Sequence, residues 1–268
     1  MIGFNELGRK GNLGNQLFQF ASLRGIASNR GYGWQIPPED STRIHDYAIL
    51  RLFQLDSISS FNLGYIPFET FLPMNCDGEN STDYHFDSGF FNSCPDNVNI
   101  NGFFQSEKYF KNITTELKAD LTFKQSFIDL EKSKLNDFDY DFIALHIRRG
   151  DYLHFPDHHP VLDVKYYLEA LKRCPDLPIV VFTNDKEWVR KSNFIRDREY
   201  VIADFKDYGH DMYLMTKARY FIIANSSFSW WGAWLSQAQE IFAPLEWFGP
   251  KLAHQDTSDL YPETWKLI

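Results

Sequence analysis

Five short runs rich in apolar residues, at 142–147, 178–182, 200–203, 220–224 and 240–243, punctuate the second half of the chain, with helically periodic stretches between them. Phe142-Ile143-Ala144-Leu145 and Tyr220-Phe221-Ile222-Ile223-Ala224 are apolar at every position. A strand tolerates that only when both of its faces are covered, as in a parallel sheet flanked by helices. The alternation therefore predicts a doubly wound α/β domain with a parallel sheet.

The first half is less regular. It offers a strand candidate at 2–4, a loop rich in Gly and Asn, and a helix with Leu17, Phe20, Leu23 and Ala27 on one stripe. From 37 to 101, Pro, Gly, Asn and aromatic residues follow no period, which predicts long loops and short elements. The charged stretch 131–141 is poor in large apolar groups and divides the chain into expected domains at 1–136 and 137–268.

In open α/β sheets, ligands bind beyond the carboxyl ends of the strands, so the polar residues that follow buried strands are the ones to weigh. His146-Ile147-Arg148-Arg149-Gly150-Asp151-Tyr152 directly follows the first buried run. On a continuing strand His146 and Arg148 share a face and Arg149 takes the other. A guanidinium matches two phosphate oxygens at once and stays charged at any physiological pH. We read His146 and Arg148 as facing a ligand, with Arg149 pinned away from it by Asp151. An exposed salt-bridge cluster is the plainer alternative.

Three more segments stand out. Gly8-Arg9-Lys10-Gly11-Asn12-Leu13-Gly14-Asn15-Gln16 precedes the first helix, where a glycine-rich backbone and a helix N-terminus suit an anion. A simple turn with a capping Asn is the alternative, and the G-x-x-G spacing does not fit the dinucleotide fingerprint. Asn225-Ser226-Ser227-Phe228 opens a helix after the 220–224 run, so the two hydroxyls and the helix N–H groups can hold phosphate, while Trp231, Trp234, Leu235 and Ala238 pack that helix on the sheet. Asp211 lies one turn before Leu214, Met215 and Ala218, on an otherwise apolar face where an unpaired charge is costly. Its carboxylate either caps the helix or accepts the two adjacent donors of a guanine.

Composition removes several classes. A net charge of −9 argues against nucleic acid, which demands a surplus of Lys and Arg. Cys76, Cys94 and Cys174 are widely spaced with no C-x-x-C pair, so neither a disulfide framework nor a thiolate zinc site is indicated. No apolar run reaches the roughly 18–20 residues needed to cross a bilayer, and no basic-then-apolar leader opens the sequence, so the expected location is cytosolic, at most peripheral to the inner membrane.

Taken in order, these segments resemble the α-1,2-fucosyltransferases of glycosyltransferase family 11, and the wider fucosyltransferase superfamily that shares an H-x-R-R-x-D peptide. Gly11-Asn12-Leu13-Gly14-Asn15-Gln16-Leu17-Phe18-Gln19-Phe20 resembles the family's G-x-L-G-N-Q-x-F-Q-Y, and Gly102-Phe103-Phe104-Gln105-Ser106 its aromatic G-[YF]-[FW]-Q segment. His146-Ile147-Arg148-Arg149-Gly150-Asp151, Phe182-Thr183-Asn184-Asp185 and the stretch from Ser226 to Trp234 complete the series. The resemblance implies a two-domain fold of GT-B type, with GDP-β-L-fucose held mainly by the C-terminal domain and the acceptor served by the N-terminal one. Arg148 would bind the β-phosphate, His146 the nucleoside, Asp211 the guanine, and Ser226 and Ser227 the diphosphate. Gly14, Asn15, Gln16, Arg149, Asp151, Asp185, Asn225 and Phe228 join that implied donor set.

The implied reaction is inverting transfer of L-fucose to the 2-hydroxyl of a β-galactoside in a glycan. Charge builds on the departing diphosphate, and fixed guanidinium donors stabilise it, so no divalent cation is required. Asp139-Tyr140-Asp141, a D-x-D candidate, precedes its strand and so sits at the wrong end of the sheet for a metal that meets a ligand. For the base that deprotonates the acceptor, Asp157, His154, His158 and His159 follow the arginines, and Asp157 is the candidate carried forward. The same histidines lack the spacing of a zinc site. Two alternatives stay open: the same fold with another nucleotide-sugar donor or linkage, and a catalytically silent carbohydrate-binding protein.

Overall fold

The computed structural model describes residues 1–39, 46–67, 70–71, 84–134 and 141–268. They form two compact units: Met1–Lys124 with Gln255–Pro262, and Gln125–His254 with Glu263–Ile268.

The first unit contains β1 (Ile2–Gly3), α1 (Leu13–Arg30), β2 (Trp34–Gln35), α2 (Ala48–Leu52), β3 (Thr70–Phe71), α3 (Ser88–Ser93), β4 (Val98–Ile100) and α4 (Thr114–Asp120). Its four strands are all parallel, in the order β2-β1-β4-β3. The predicted stripe of α1 is buried, but so are Gln16, Phe18, Gln19 and Ser22 on its other faces. The reason is that α2, α3 and the short 3-10 turns at 107–113 wrap it on several sides, which makes it a central helix rather than a surface one. Gly25 is where one of these turns comes closest: a Cβ there would stand 1.9 Å from the Tyr109 carbonyl oxygen. Gly31, in the left-handed region at φ 68°, closes the helix.

The second unit begins with α5 (Gln125–Lys134) and continues through β5 (Ile143–Ile147), α6 (Val164–Arg173), β6 (Ile179–Thr183), α7 (Lys186–Ser192), β7 (Tyr200–Ile202), α8 (Tyr208–Met215), β8 (Tyr220–Ile222), α9 (Ser227–Leu235), β9 (Glu240–Ala243) and β10 (Lys266–Leu267). All six strands are parallel, ordered β10-β9-β8-β5-β6-β7. From β5 the chain winds out through β6 to β7, then returns through α8 to place β8 on the other side of β5. That reversal is the topological switch point of a doubly wound sheet, where a crevice opens beyond the strand ends. The fold is the doubly wound α/β arrangement that the strand pattern pointed to, and it is GT-B-like, as the resemblance implies.

Two boundaries differ from expectation. The units divide between Lys124 and Gln125, not at 136/137, because α5 joins the second unit, where the buried Phe127 lies 5.0 Å from the His210 ring on α8. Of the polar stretch that suggested the later boundary, 135–140 lie outside the described residues. In addition, Gln255–Pro262 leaves the second unit's sequence and folds with the first. Leu260 is fully buried there, Asp259 accepts from the Phe86 N–H (3.2 Å), and it pairs with His85 (3.0 Å) and Lys108.

No helix among the described residues is long and apolar enough to cross a membrane. Cys94 and Cys174 are free and buried, and burial pushes their thiols up to about 11 and about 12, which leaves both unreactive at neutral pH. Cys76 lies outside the described residues.

Candidate active site

β5 and β8 are neighbours in the sheet, with Leu145 opposite Ile222, so the loops that leave their carboxyl ends flank the switch point together. His146 is the last inward position before the first of these loops. Only 5% of it is exposed, its Nδ1 has no partner, and its ring lies 5.9 Å from Phe228 on α9. Burial, and then the charge of Arg148, hold the imidazole down at about 3, so it is neutral at any working pH.

The two arginines diverge, but not by the expected pairing. Arg148 carries the bond to Asp151 (2.8 Å) and lies over the Tyr152 ring at 5.3 Å, with its Nε buried and unpartnered. Arg149 instead donates from Nε to Asp185 Oδ2 (3.1 Å) and stacks 4.2 Å over Trp188. Asp151 therefore does not pin Arg149. The strand ends at Ile147, the chain turns, and Arg149 is drawn toward the neighbouring β6–α7 corner. Asn184 in that corner accepts from the Arg149 backbone N–H (2.9 Å). Gly150 is forced by the same contact: its φ is +32°, and a Cβ would meet Asn184 Nδ2 at 2.3 Å. Asp185, expected among donor-binding groups, is thus the clamp on Arg149, and its other oxygen caps α7 through Trp188 N–H (3.0 Å).

The second loop starts at Asn225, which is buried and donates to the Pro160 and Trp247 carbonyls (3.0 and 3.2 Å), while its Oδ1 has no partner. Its carbonyl accepts from Tyr152 Oη–H (3.0 Å), whose phenol burial pushes up to about 12, so Tyr152 stays a donor. The loop after the arginines is thereby tied to the loop after β8. Ser226 is the N-cap of α9 but makes no side-chain capping bond, and Ser227 starts the helix, so the hydroxyl of Ser226 is not taken up by its own helix terminus. Trp230, Trp231 and Trp234 are buried, as packing residues of this helix should be, although the helix ends at Leu235, before Ala238.

Asp211 lies within α8, and the capping alternative fails: Asp207 is the N-cap, accepting from Gly209 N–H (2.7 Å). Asp211 Oδ1 is buried with no partner, and burial, with Lys186 pulling back and Asp207 and Asp204 adding, raises the carboxyl to about 7. Tyr208 on the same helix lies 6.3 Å from Phe228, the ring that also faces His146, so one aromatic contact chain joins α8, α9 and the end of β5.

Asp157 is exposed, 3.5 Å from Lys251 Nζ, on a loop braced by Gly249 N–H to the His158 carbonyl (2.9 Å). His154 is exposed, while His159 stacks 4.9 Å over Tyr152. Asp139 and Tyr140 are outside the described residues, and Asp141 precedes β5, 3.8 Å from Arg219.

The glycine loop belongs to the first unit. Asn12 is the N-cap of α1 without a side-chain bond, and Gly8 and Gly11 adopt φ of 81° and 82°. Gly14 is buried in the first turn of the helix. Gln16 is fully buried and all of its amide is engaged: it donates to Asp46 O (2.8 Å) and Gly11 O (3.3 Å) and accepts from Ile49 N–H (3.2 Å). Asn15 Oδ1 accepts from Gln105 Nε2 at 2.9 Å.

Beyond the expected residues, the site includes Tyr152, Asn184, Trp188 and Tyr208. Of these, Tyr152 and Asn184 lay inside the quoted motifs without a role. Trp188 and Tyr208 carried no signal, because a lone aromatic near a helix start reads as packing.

A parallel sheet with cationic and unpartnered polar groups after its strands suits a polar, phosphate-bearing ligand. Residues 1–266 match the model for glycosyl transferase family 11, and the chain belongs to that family. It is 28% identical over 291 residues to an α-1,2-colitosyltransferase of Escherichia coli, with 96% of each chain covered. It is 36% identical over 133 residues to the O-antigen biosynthesis glycosyltransferase WbnK of Escherichia coli, covering 46% of this chain and 43% of that one. Among solved structures, the fucosyltransferase NodZ from Bradyrhizobium superposes with a TM-score of 0.56 at 13% identity, covering 88% of this chain and 93% of that one. NodZ has also been crystallised with GDP.

Proposed function

We propose that this glycosyltransferase moves L-fucose from GDP-β-L-fucose to the 2-hydroxyl of a β-galactoside in a glycan, with inversion and without a divalent cation. The observation that carries the donor reading is Asp211: a half-buried carboxylate whose Oδ1 is buried without a partner, on a helix linked by ring contacts to His146. Guanine offers N1–H and the exocyclic amine to two carboxylate oxygens, which uracil and thymine do not. Arg148, already aimed by Asp151 and Tyr152, donates to the β-phosphate as the sugar bond breaks, and the N-terminus of α9 with Ser226 and Ser227 takes the remaining diphosphate charge. Asp157 takes the proton of the attacking hydroxyl.

Incubation with GDP-fucose, lactose and EDTA tests this directly. GDP release with an α-1,2-linked product is expected, and no turnover with any galactoside, or a strict metal requirement, overturns it. Asp157→Asn should lower kcat while leaving the KM for GDP-fucose in place, as read from initial rates. Thermal shifts with GDP, UDP and dTDP should rank GDP first. A second reading has a specific observation behind it: the full-length relative is a colitosyltransferase. The diphosphate and guanine contacts recognise no part of the sugar, so the same site serves GDP-linked colitose equally well, and side-by-side rates with the two donors decide between them.

A further inference from the structure

Asn184 is the first residue after β6, and because Thr183 pairs with Ile147 it leaves the sheet level with Arg148 on the neighbouring strand. Its corner is fixed from its own side: Asp185 N–H donates to Thr183 Oγ1 (3.0 Å), and Asp185 Oδ1 caps α7. From there one carboxamide meets three successive residues of the loop that follows β5. Oδ1 accepts from the Arg149 N–H at 2.9 Å, and Nδ2 donates to Asp151 Oδ1 at 3.4 Å. Between them the side chain lies against Gly150, where a Cβ would stand 2.3 Å from Nδ2. The amide cannot be turned around, because that would set its NH2 against an N–H and its oxygen against a carboxylate.

The other oxygen of Asp151, Oδ2, is the one that accepts from Arg148 Nη2 at 2.8 Å. The Asp151 side chain is 55% exposed, and an ion pair that open to water holds its geometry poorly, because both side chains are free to rotate away. A second donor on the same carboxylate removes that freedom, and here it comes from a short side chain at the end of a buried strand. We propose that Asn184 is a positioning residue for Arg148, acting through Asp151: it orients the carboxylate so that the guanidinium is already aimed when the ligand arrives. This rests on the reading above that Arg148 meets the β-phosphate, and it adds the residue that keeps the arginine in place.

Calorimetric Kd values for GDP and GMP on the full chain test it, since only the β-phosphate distinguishes the two probes. Asn184→Ala should weaken GDP by roughly threefold to tenfold, the scale of one hydrogen bond, and leave GMP in place, whereas a change that merely loosened the site would weaken both. Asp151→Ala should do the same, and the double variant should be no weaker than Asp151→Ala alone, because Asn184 acts only through Asp151. Where Asn184→Ala does not fold, Asn184→Asp decides, because it still accepts from the Arg149 N–H. It should lose GDP affinity, and adding Asp151→Asn, which sets a donor opposite an acceptor again, should recover it. Unchanged GDP affinity, equal losses for GDP and GMP, additive losses in the double variant, or no recovery by the exchange overturn the inference and leave the donor reading intact. If Arg148→Ala keeps the preference for GDP over GMP, the role of Arg148 falls and this inference with it, and no GDP binding by the wild-type chain overturns the donor reading itself.

Discussion

The two units differ in how far the polar groups that follow their strands bond to one another. In the first unit, the side chains after β1 and β4 bond to one another and to nearby backbone: Gln16 to Gly11, Asp46 and Ile49, Asn15 to Gln105, and Asn5 to Asn99 and Ile66. In the second, His146 Nδ1, Arg148 Nε, Asp211 Oδ1 and Asn225 Oδ1 are buried without partners. Buried polar atoms are ordinarily satisfied, so the group of unsatisfied ones in the second unit is what the proposed donor would complete. The first unit mostly holds loops in place, though Gln19 Oε1 and Gln105 Oε1 are also buried without partners; in the second unit such atoms gather after the strands.

If this contrast holds, substitutions in the second unit should cost function and those in the first should cost stability. The largest effect is expected for Arg148→Ala, with kcat/KM down by roughly 10²–10³, the scale of removing one preorganised donor from a developing anion. Lysine should not restore it, because the bond to Asp151 and the place over Tyr152 need a planar fork. Unchanged steady-state kinetics for Arg148→Ala would break the contrast, whereas no turnover by the wild type, with glycan binding untouched by Arg148→Ala, would favour a silent carbohydrate-binding protein. Gln16→Ala should lower unfolding free energy by about 2–4 kcal/mol, since a buried N–H and two carbonyls lose their partner and the fully buried side chain leaves a cavity. Denaturant unfolding measures it.

Asp211→Asn comes next, with GDP affinity expected to fall roughly 10- to 100-fold by calorimetry, the range of a charge-assisted pair. The sign with pH follows from the raised carboxyl. The ionised form accepts both guanine donors, so wild-type affinity should climb as pH rises through about 7 and level off above, while the variant stays flat. Stability runs the other way. The folded state holds this proton longer than the unfolded chain does, so wild type loses stability between about 4 and about 7 as pH rises, and Asp211→Asn should melt higher than wild type at pH 8. The smallest effect sharpens the boundary between the two kinds of group. Asp185→Ala should cost about 1 kcal/mol through the lost α7 cap and should lower turnover only by releasing Arg149. Thermal melts beside initial rates separate those parts.

Much of the second unit was legible because β5, β6 and β8 are covered on both faces, and burial of that kind leaves them apolar except toward the carboxyl ends, at His146 and Thr183. The residues after those strands followed from topology. In the first unit β1, β2 and β3 have two residues each, too short for any period to show, so the 37–101 stretch read as loops. Side-chain pairing was the least legible. Asp151 and Asp185 are both carboxylates near Arg149 once the chain is folded, but only the parallel pairing of β5 with β6 brings the second one there. Likewise Asp207 and Asp211 are both suited to a helix start, and only the position of the first turn decides which one caps.

The return of Gln255–Pro262 to the first unit, before the chain finishes in the second, bears on how such proteins can be recombined. A graft that exchanges everything after Lys124 between two family members also replaces the strap that His85 and Lys108 grip through Asp259. The two units are therefore not separable at a single seam. A functional chimaera needs the strap from the same parent as the unit it lies on, and sequence changes in Gln255–Pro262 should track those of the N-terminal half rather than those of their immediate neighbours.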